Sequence, residues 1–127
     1  MYSGFAKVLA LVDIIDDDDA VRDSTRALLE SYGYEVRDHA SAENFLEEAA
    51  GKVDCLLVDH HMSGMTGLAL LEHLRAHGDR TPALMMTGRS DPTLEPRAAA
   101  IGVKLLHKPV PEEQLILWLE ETRAAIS

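Results

Sequence analysis

Short apolar runs alternate with longer segments of helical period along this chain. Each run has the length of a strand, and turn-forming or polar residues follow it. The predicted strands are Val8–Ile15, Tyr34–Arg37, Val53–Val58, Ala83–Met86 and Val103–Leu106. Strands that alternate with helices in this way form a parallel sheet covered by helices on both faces. The pattern predicts a doubly wound α/β fold with five strands and five helices.

Capping residues mark where the first three helices begin and end. The apolar positions of the first helix stop before Gly33, a residue that readily takes positive φ. Ser41 is the predicted N-cap of the second helix, which ends at Gly51. The third helix lies between Thr66 and Gly78.

Prolines shape the last two helices. Pro92 and Pro96 fall in the span of the fourth helix, where a proline removes a hydrogen bond, so this helix is predicted to begin late and to be short. Pro111 suits the first turn of the fifth helix, and Glu112 and Glu113 follow near its positive end.

The composition restricts the class of protein. The 127 residues predict a single domain, with its core at about residues 8–126 and residues 1–7 as an N-terminal extension. The lone cysteine, Cys55, cannot form an internal disulfide. The sequence also shows no membrane span and no export signal, and these observations together predict a cytoplasmic protein. The formal charge of −10 would repel a phosphate backbone, so direct nucleic-acid binding is not expected.

Polar residues stand where four of the predicted strands end. The first strand is followed by Asp16 and Asp17, the third by Asp59, the fourth by Thr87 and the fifth by Lys108. Ligands of open parallel sheets bind at the carboxyl ends of the strands. In the flavodoxin-like strand order 2-1-3-4-5, these five residues would converge on one site.

The chemistry of these residues is coherent. Three carboxylates repel one another unless a cation joins them, and such an oxygen ligand set favours Mg²⁺, with Mn²⁺ as the alternative ion. A carboxylate can take a phosphoryl group when metal and fixed donors neutralise its oxygens. A nucleotide is disfavoured, because the run Asp16–Asp19 stands where a phosphate-binding loop would place Gly, Ser and Thr.

Over residues 12 to 126 the chain resembles the receiver domain of response regulators in two-component signalling. The matching motifs are Asp16-Asp17 after an apolar strand, Asp59 at the end of Cys55–Val58, the turn Met62–Gly67, then Thr87-Gly88, and Lys108-Pro109. The resemblance implies a phosphoacceptor module that is not an enzyme, although it assists its own phosphorylation and dephosphorylation. Kinase activity is expected only if the chain belongs to a longer hybrid kinase.

The resemblance also assigns roles to the metal and phosphoryl ligands. Asp59 resembles the aspartate that receives a phosphoryl group from a histidine kinase or a phosphotransfer protein. Asp16 and Asp17 resemble the acidic pair that holds Mg²⁺, together with Asp59 and the backbone carbonyl of His61.

Further roles concern switching. Thr87 resembles the hydroxyl that moves toward the phosphoryl group, and Lys108 the cation that pairs with it, before a Pro109 whose peptide bond is usually cis in the family. The side chains of His61 and Arg89 stand where the family tunes dephosphorylation. A downstream protein partner is expected, and the face of helix 4, strand 5 and helix 5 is the predicted surface for it or for a homodimer.

Three residues depart from the family pattern or from the predicted environment. Leu105 stands where the family often has an aromatic residue coupled to the threonine, and Ser63 replaces a common proline. Asp13 lies inside a predicted buried strand, so it must be neutral or partnered, or the assumed strand register is wrong.

Two runs of similar residues have simple structural interpretations. Adjacent His60 and His61 do not have the spacing of usual zinc motifs and are interpreted as loop residues. The run Leu115–Leu119 is apolar on more than one helix face, so part of it is either an interface or packing of Trp118 within the domain.

Two rival functions are left open by the sequence. One is a small Mg²⁺-dependent phosphatase that forms an aspartyl phosphate, although such enzymes typically place the nucleophile after the first strand. The other is a degenerate receiver that only binds proteins.

Overall fold

Five parallel strands and five helices form the domain in a computed structural model that describes residues 10–48 and 53–126. The strands are β1 (Leu11–Ile15), β2 (Glu35–His39), β3 (Cys55–Asp59), β4 (Ala83–Thr87) and β5 (Lys104–His107). The helices are α1 (Asp19–Ser31), α2 (Ala42–Glu48), α3 (Gly67–Ala76), α4 (Leu94–Ala100) and α5 (Glu112–Ile126). The sheet order is β2-β1-β3-β4-β5, which confirms the predicted fold.

Four strands end one or two residues later than predicted. Parallel pairing continues to the polar residues themselves, since Asp59 pairs with Met86 and Thr87 with His107. The site residues at these two ends therefore belong to the sheet. The predicted strand residues Val8 and Leu9 and the predicted helix end at Gly51 lie outside the described part of the chain.

The helix starts follow local side-chain chemistry. Ser41 Oγ accepts a hydrogen bond from Asn44 N at 2.9 Å, and Thr66 Oγ1 accepts one from Ala69 N at 3.1 Å. Helix α4 is short, as predicted, and Pro96 lies in its first turn, where its missing N–H has no helical partner to lose.

Two apolar clusters cover the two faces of the sheet. Helices α2, α3 and α4 pack on one face, and α1 and α5 on the other. Leu115 and Leu119 of α5 are buried, and Ile116 and Trp118 pack partly against the same cluster, whereas Leu117 is 59 % exposed. Most of the apolar run thus belongs to the core, which leaves Leu117 as its exposed side chain.

The buried carboxylate of Asp13 is partnered by the neighbouring strand. Arg37 lies opposite it in the β1–β2 register, with Nε 2.8 Å from Oδ1 and Nη2 3.1 Å from Oδ2. His39 Nε2 lies 3.7 Å from Asp13 Oδ2, and His39 Nδ1 lies 2.9 Å from Glu48 Oε1. The assumed register was right, and an ion pair compensates the burial of Asp13.

Two tyrosines in the connection between α1 and β2 contact glutamates of α5. Tyr34 donates a hydrogen bond to Glu120, and Tyr32 Oη lies 3.2 Å from Glu112 Oε2. Burial and the bond to Glu120 raise the pKa of Tyr34 above its ordinary value. Within the described ranges, no helix has the length and apolar character needed to cross a membrane.

Candidate functional site

The carboxyl ends of four strands meet around an open cleft of ≈ 280 Å³. Asp16 follows β1, Asp59 ends β3 and Lys108 follows β5, and all three line the cleft. Thr87 ends β4 and is buried, and the next two residues, Gly88 and Arg89, line the cleft. The structure thus brings together the residues that the sequence placed at strand ends.

Three carboxylates of this cleft could share a cation. One oxygen each of Asp16, Asp17 and Asp59 lies within 4.8 Å of the others. Asp16 Oδ2 and Asp59 Oδ1 are buried and lack a well-aligned hydrogen bond within the described part of the chain. Buried carboxylate oxygens whose hydrogen bonding is incomplete are what a hard divalent cation would satisfy, so the residues present fit Mg²⁺.

The acidic run Asp16–Asp19 divides its work between this site and the start of α1. Asp16 is fixed by three bonds: its N–H to His39 O at 3.1 Å, its Oδ1 to Asp18 N at 2.9 Å, and its carbonyl to Arg22 Nη1 at 2.7 Å. Asp18 is the N-cap of α1, with Oδ1 3.1 Å from Val21 N. Asp18 therefore caps the helix, whereas Asp16 belongs to the cleft.

Burial makes the ionised form of Asp16 unfavourable. It raises the pKa of Asp16, the carboxylates of Asp59 and Asp17 add to this, and the N–H of Asp18 and the cation of Lys108 oppose it. A group with a raised pKa next to two other carboxylates marks the point where positive charge is most needed.

Lys108 supplies part of that charge. Its Nζ lies 2.9 Å from Asp59 Oδ1 and 3.6 Å from Asp16 Oδ2. Burial disfavours the ammonium, but its contacts with Asp59 and Asp16 outweigh burial and raise the pKa of Lys108. The backbone N–H of Lys108 donates to Thr87 O at 2.7 Å, and the Lys108–Pro109 peptide is cis, as expected.

The loop after β3 is held by its neighbours. Ser63 N lies 3.4 Å from Asp17 Oδ2, and Met65 N donates to Glu43 Oε2 at 3.0 Å. A Cβ on Gly67 would lie 2.4 Å from Asp59 O and 2.9 Å from His60 Cα, so only glycine allows α3 to start this close to Asp59. These contacts fix the loop without the proline that Ser63 replaces.

The side chain of His61 has a contact that the sequence did not reveal. Its Nε2 lies 2.9 Å from Thr87 Oγ1, and Thr87 Oγ1 also lies 3.2 Å from Arg89 O and 3.3 Å from Arg89 N. His60 points elsewhere: its Nδ1 accepts a hydrogen bond from Leu68 N at 3.3 Å, and burial, followed by the nearby His61, lowers its pKa. The two histidines are loop residues with separate partners, as the sequence indicated.

The response regulator receiver domain profile matches residues 12–120. The chain belongs to this family. Over 108 residues the chain is 42 % identical to the transcriptional regulatory protein FixJ of Azorhizobium caulinodans. The matched segment covers 83 % of this chain and 51 % of that protein. The chain spans about half the length of the curated relatives it matches.

Solved receiver structures share the fold. The chemotaxis protein CheY4 of Vibrio cholerae has a TM-score of 0.80 and 29 % identity, covering 89 % of this chain and 98 % of that one. A CheY-like receiver domain protein of Methanospirillum hungatei has a TM-score of 0.84 and 28 % identity, covering 91 % and 94 %. As a receiver, the chain is a phosphoacceptor of two-component signalling, a class that interacts with histidine kinases and downstream effectors.

Proposed function

We propose that Asp59 is the phosphoacceptor of this receiver and that Mg²⁺ is required for the transfer. The observation that carries the proposal is the position of Asp59 Oδ1, which is buried and lies 2.9 Å from Lys108 Nζ within the group of three carboxylates. A nucleophile beside a cation and a metal-binding group is the arrangement that phosphoryl transfer to a carboxylate needs.

The transfer joins one oxygen of Asp59 to phosphorus while the bond from phosphorus to the donor breaks. In a phosphohistidine donor this is the P–N bond, whose electron pair returns to the imidazole. Lys108 neutralises charge on the phosphoryl oxygens, and Thr87 supplies a hydroxyl donor. Mg²⁺ held by Asp16, Asp17, Asp59 and the carbonyl of His61 would supply the remaining positive charge.

The partners follow from this chemistry. The phosphoryl donor is a histidine kinase or a phosphotransfer protein, and the output is a contact with a downstream protein, in a cytoplasmic setting. A homodimer through α4, β5 and α5 remains a prediction. The exposed Leu117 of α5 would supply an apolar contact on that surface. FixJ is named as a transcriptional regulatory protein, so a transcriptional output of a longer protein is also a proposal.

The test is intact mass of the protein after incubation with acetyl phosphate and Mg²⁺. We expect one added phosphoryl group, none when the metal is chelated, and none in Asp59→Asn. Asp23→Asn is the matched control, because Asp23 is exposed on α1 away from the cleft and the substitution removes the same charge.

Each rival predicts a different result. A phosphatase would hydrolyse a small phosphate ester with turnover. Turnover that survives Asp59→Asn would support this rival, with another residue as the nucleophile. A degenerate receiver would fold and gain no phosphoryl group. An adduct that persists in Asp59→Asn would refute the assignment of Asp59.

A further inference from the structure

The His61 side chain connects two loops of the site. His61 follows β3 two residues after Asp59, while Thr87 ends the neighbouring strand β4. The 2.9 Å contact between His61 Nε2 and Thr87 Oγ1 spans the gap between these loops. The ring of His61 thus contacts the proposed switch hydroxyl, while its backbone carbonyl is the proposed metal ligand.

The hydrogen-bonding capacity of the Thr87 hydroxyl is already used. A hydroxyl has one proton to donate and two acceptor positions. The carbonyl of Arg89, at 3.2 Å, can only accept the proton, and the N–H of Arg89, at 3.3 Å, can only donate. His61 Nε2, at 2.9 Å, either donates an N–H to the remaining acceptor position or accepts the hydroxyl proton in place of Arg89 O, according to the tautomer of the ring. In either arrangement the hydroxyl proton is committed away from a phosphoryl group on Asp59.

No other side chain in residues 10–48 and 53–126 shares a hydrogen bond with Thr87. Leu105 lies on β5 opposite Met85, packs against the apolar core and has no hydrogen-bonding group in its side chain. In this receiver the side chain placed to control the Thr87 hydroxyl is therefore that of His61, in the loop after β3.

We propose that His61 is a positioning residue that holds Thr87 in the unphosphorylated arrangement, so that phosphorylation must displace the contact between them. The inference rests on the proposed function of Asp59 and Thr87. It implies that the ring of His61 opposes switching, and that loss of the ring makes the phosphorylated arrangement easier to reach.

The test uses beryllofluoride with Mg²⁺ as a phosphoryl mimic, titrated into the full chain and followed by ¹⁹F NMR. His61→Asn shortens the side chain so that its amide cannot reach Thr87, and we expect beryllofluoride to bind about three- to tenfold more tightly, the effect of losing one net hydrogen bond. His61→Gln places an amide nitrogen near the position of Nε2 and should return the affinity to the wild-type value.

A Thr87→Ala background separates positioning from a general structural effect. With the hydroxyl gone, His61→Asn should leave beryllofluoride affinity unchanged. Unchanged or weaker binding in His61→Asn alone, or the same gain in the Thr87→Ala background, would overturn the inference while leaving the receiver chemistry intact. Absence of beryllofluoride binding by the wild-type protein would instead overturn the proposed function on which it rests.

Discussion

The ion pair between Asp13 and Arg37 makes a quantitative prediction about stability. Arg37→Met removes the cation and leaves a carboxylate with no solvent exposure inside the sheet. Removing one partner of a fully buried pair costs about 3–5 kcal/mol. Because the Arg37 side chain is 36 % exposed and His39 Nε2 remains 3.7 Å from Asp13, we expect a smaller loss of about 2–3 kcal/mol.

The assay is urea and thermal unfolding followed by circular dichroism. For a domain of this size the expected loss lowers the melting temperature by about 8–12 °C. Arg97→Met is the matched control, since the pair of Arg97 with Glu72 is exposed and should contribute about 0–1 kcal/mol.

A double variant tests the physical reason. Asp13→Val combined with Arg37→Met removes both charges and should regain most of the lost stability, because an apolar pair can replace a buried ion pair at little cost. Stability of Arg37→Met within about 0.5 kcal/mol of wild type would refute the reasoning, since that is the ordinary effect of a surface substitution.

Three further predictions concern the site. Asp16→Asn should stabilise the protein without Mg²⁺ at neutral pH, because burial raises the pKa of Asp16. This gain in stability should vanish as the pH falls below the ordinary carboxyl pKa of 3.8, where Asp16 is protonated in the unfolded chain as well. Thermal melts from pH 3.5 to 7.5 measure the gain. Mg²⁺ at ten times its dissociation constant should stabilise the wild type by about 1.4 kcal/mol but not Asp17→Asn, which melts with and without the ion would show. Gly67→Ala should cost about 1–3 kcal/mol and slow phosphorylation, because the new Cβ meets backbone atoms behind Asp59; urea unfolding and intact mass check both effects.

Each of these has an outcome that would contradict it. A loss of stability in Asp16→Asn at pH 7 would mean that the carboxylate is favourable without the metal. Equal stabilisation of Asp17→Asn by Mg²⁺ would remove Asp17 from the ion's ligands. Gly88→Ala is the stability control for Gly67→Ala, since a Cβ there meets no atom within 4 Å, and equal losses in both would refute the close-approach argument.

The positions of the site residues were predictable from the sequence because the strand pattern and the strand-order rule both act at the level of the backbone. Period and length located the strands, and Asp16, Asp59 and Thr87 stand at their ends. What followed from the sequence was therefore which residues share one edge of the sheet.

Side-chain pairing was not predictable in the same way. The partner of Asp13 depends on the β1–β2 register that places Arg37 opposite it, and no local pattern encodes that register. The contact of His61 with Thr87 depends on the path of a loop and a ring orientation. These contacts form only when distant segments meet, so composition and spacing carry no signal for them.

The division of the core into two clusters has a consequence for synthesis of the chain. The sheet face that carries Val12, Leu57 and Leu84 is covered by α1 and by α5, which comes last and contributes Leu115 and Leu119. A nascent chain that has not yet released α5 from the ribosome presents this face half uncovered, and Tyr34 has no Glu120 to bond. We therefore expect the receiver to complete its fold only after α5 has left the ribosome, and to need protection from aggregation until then.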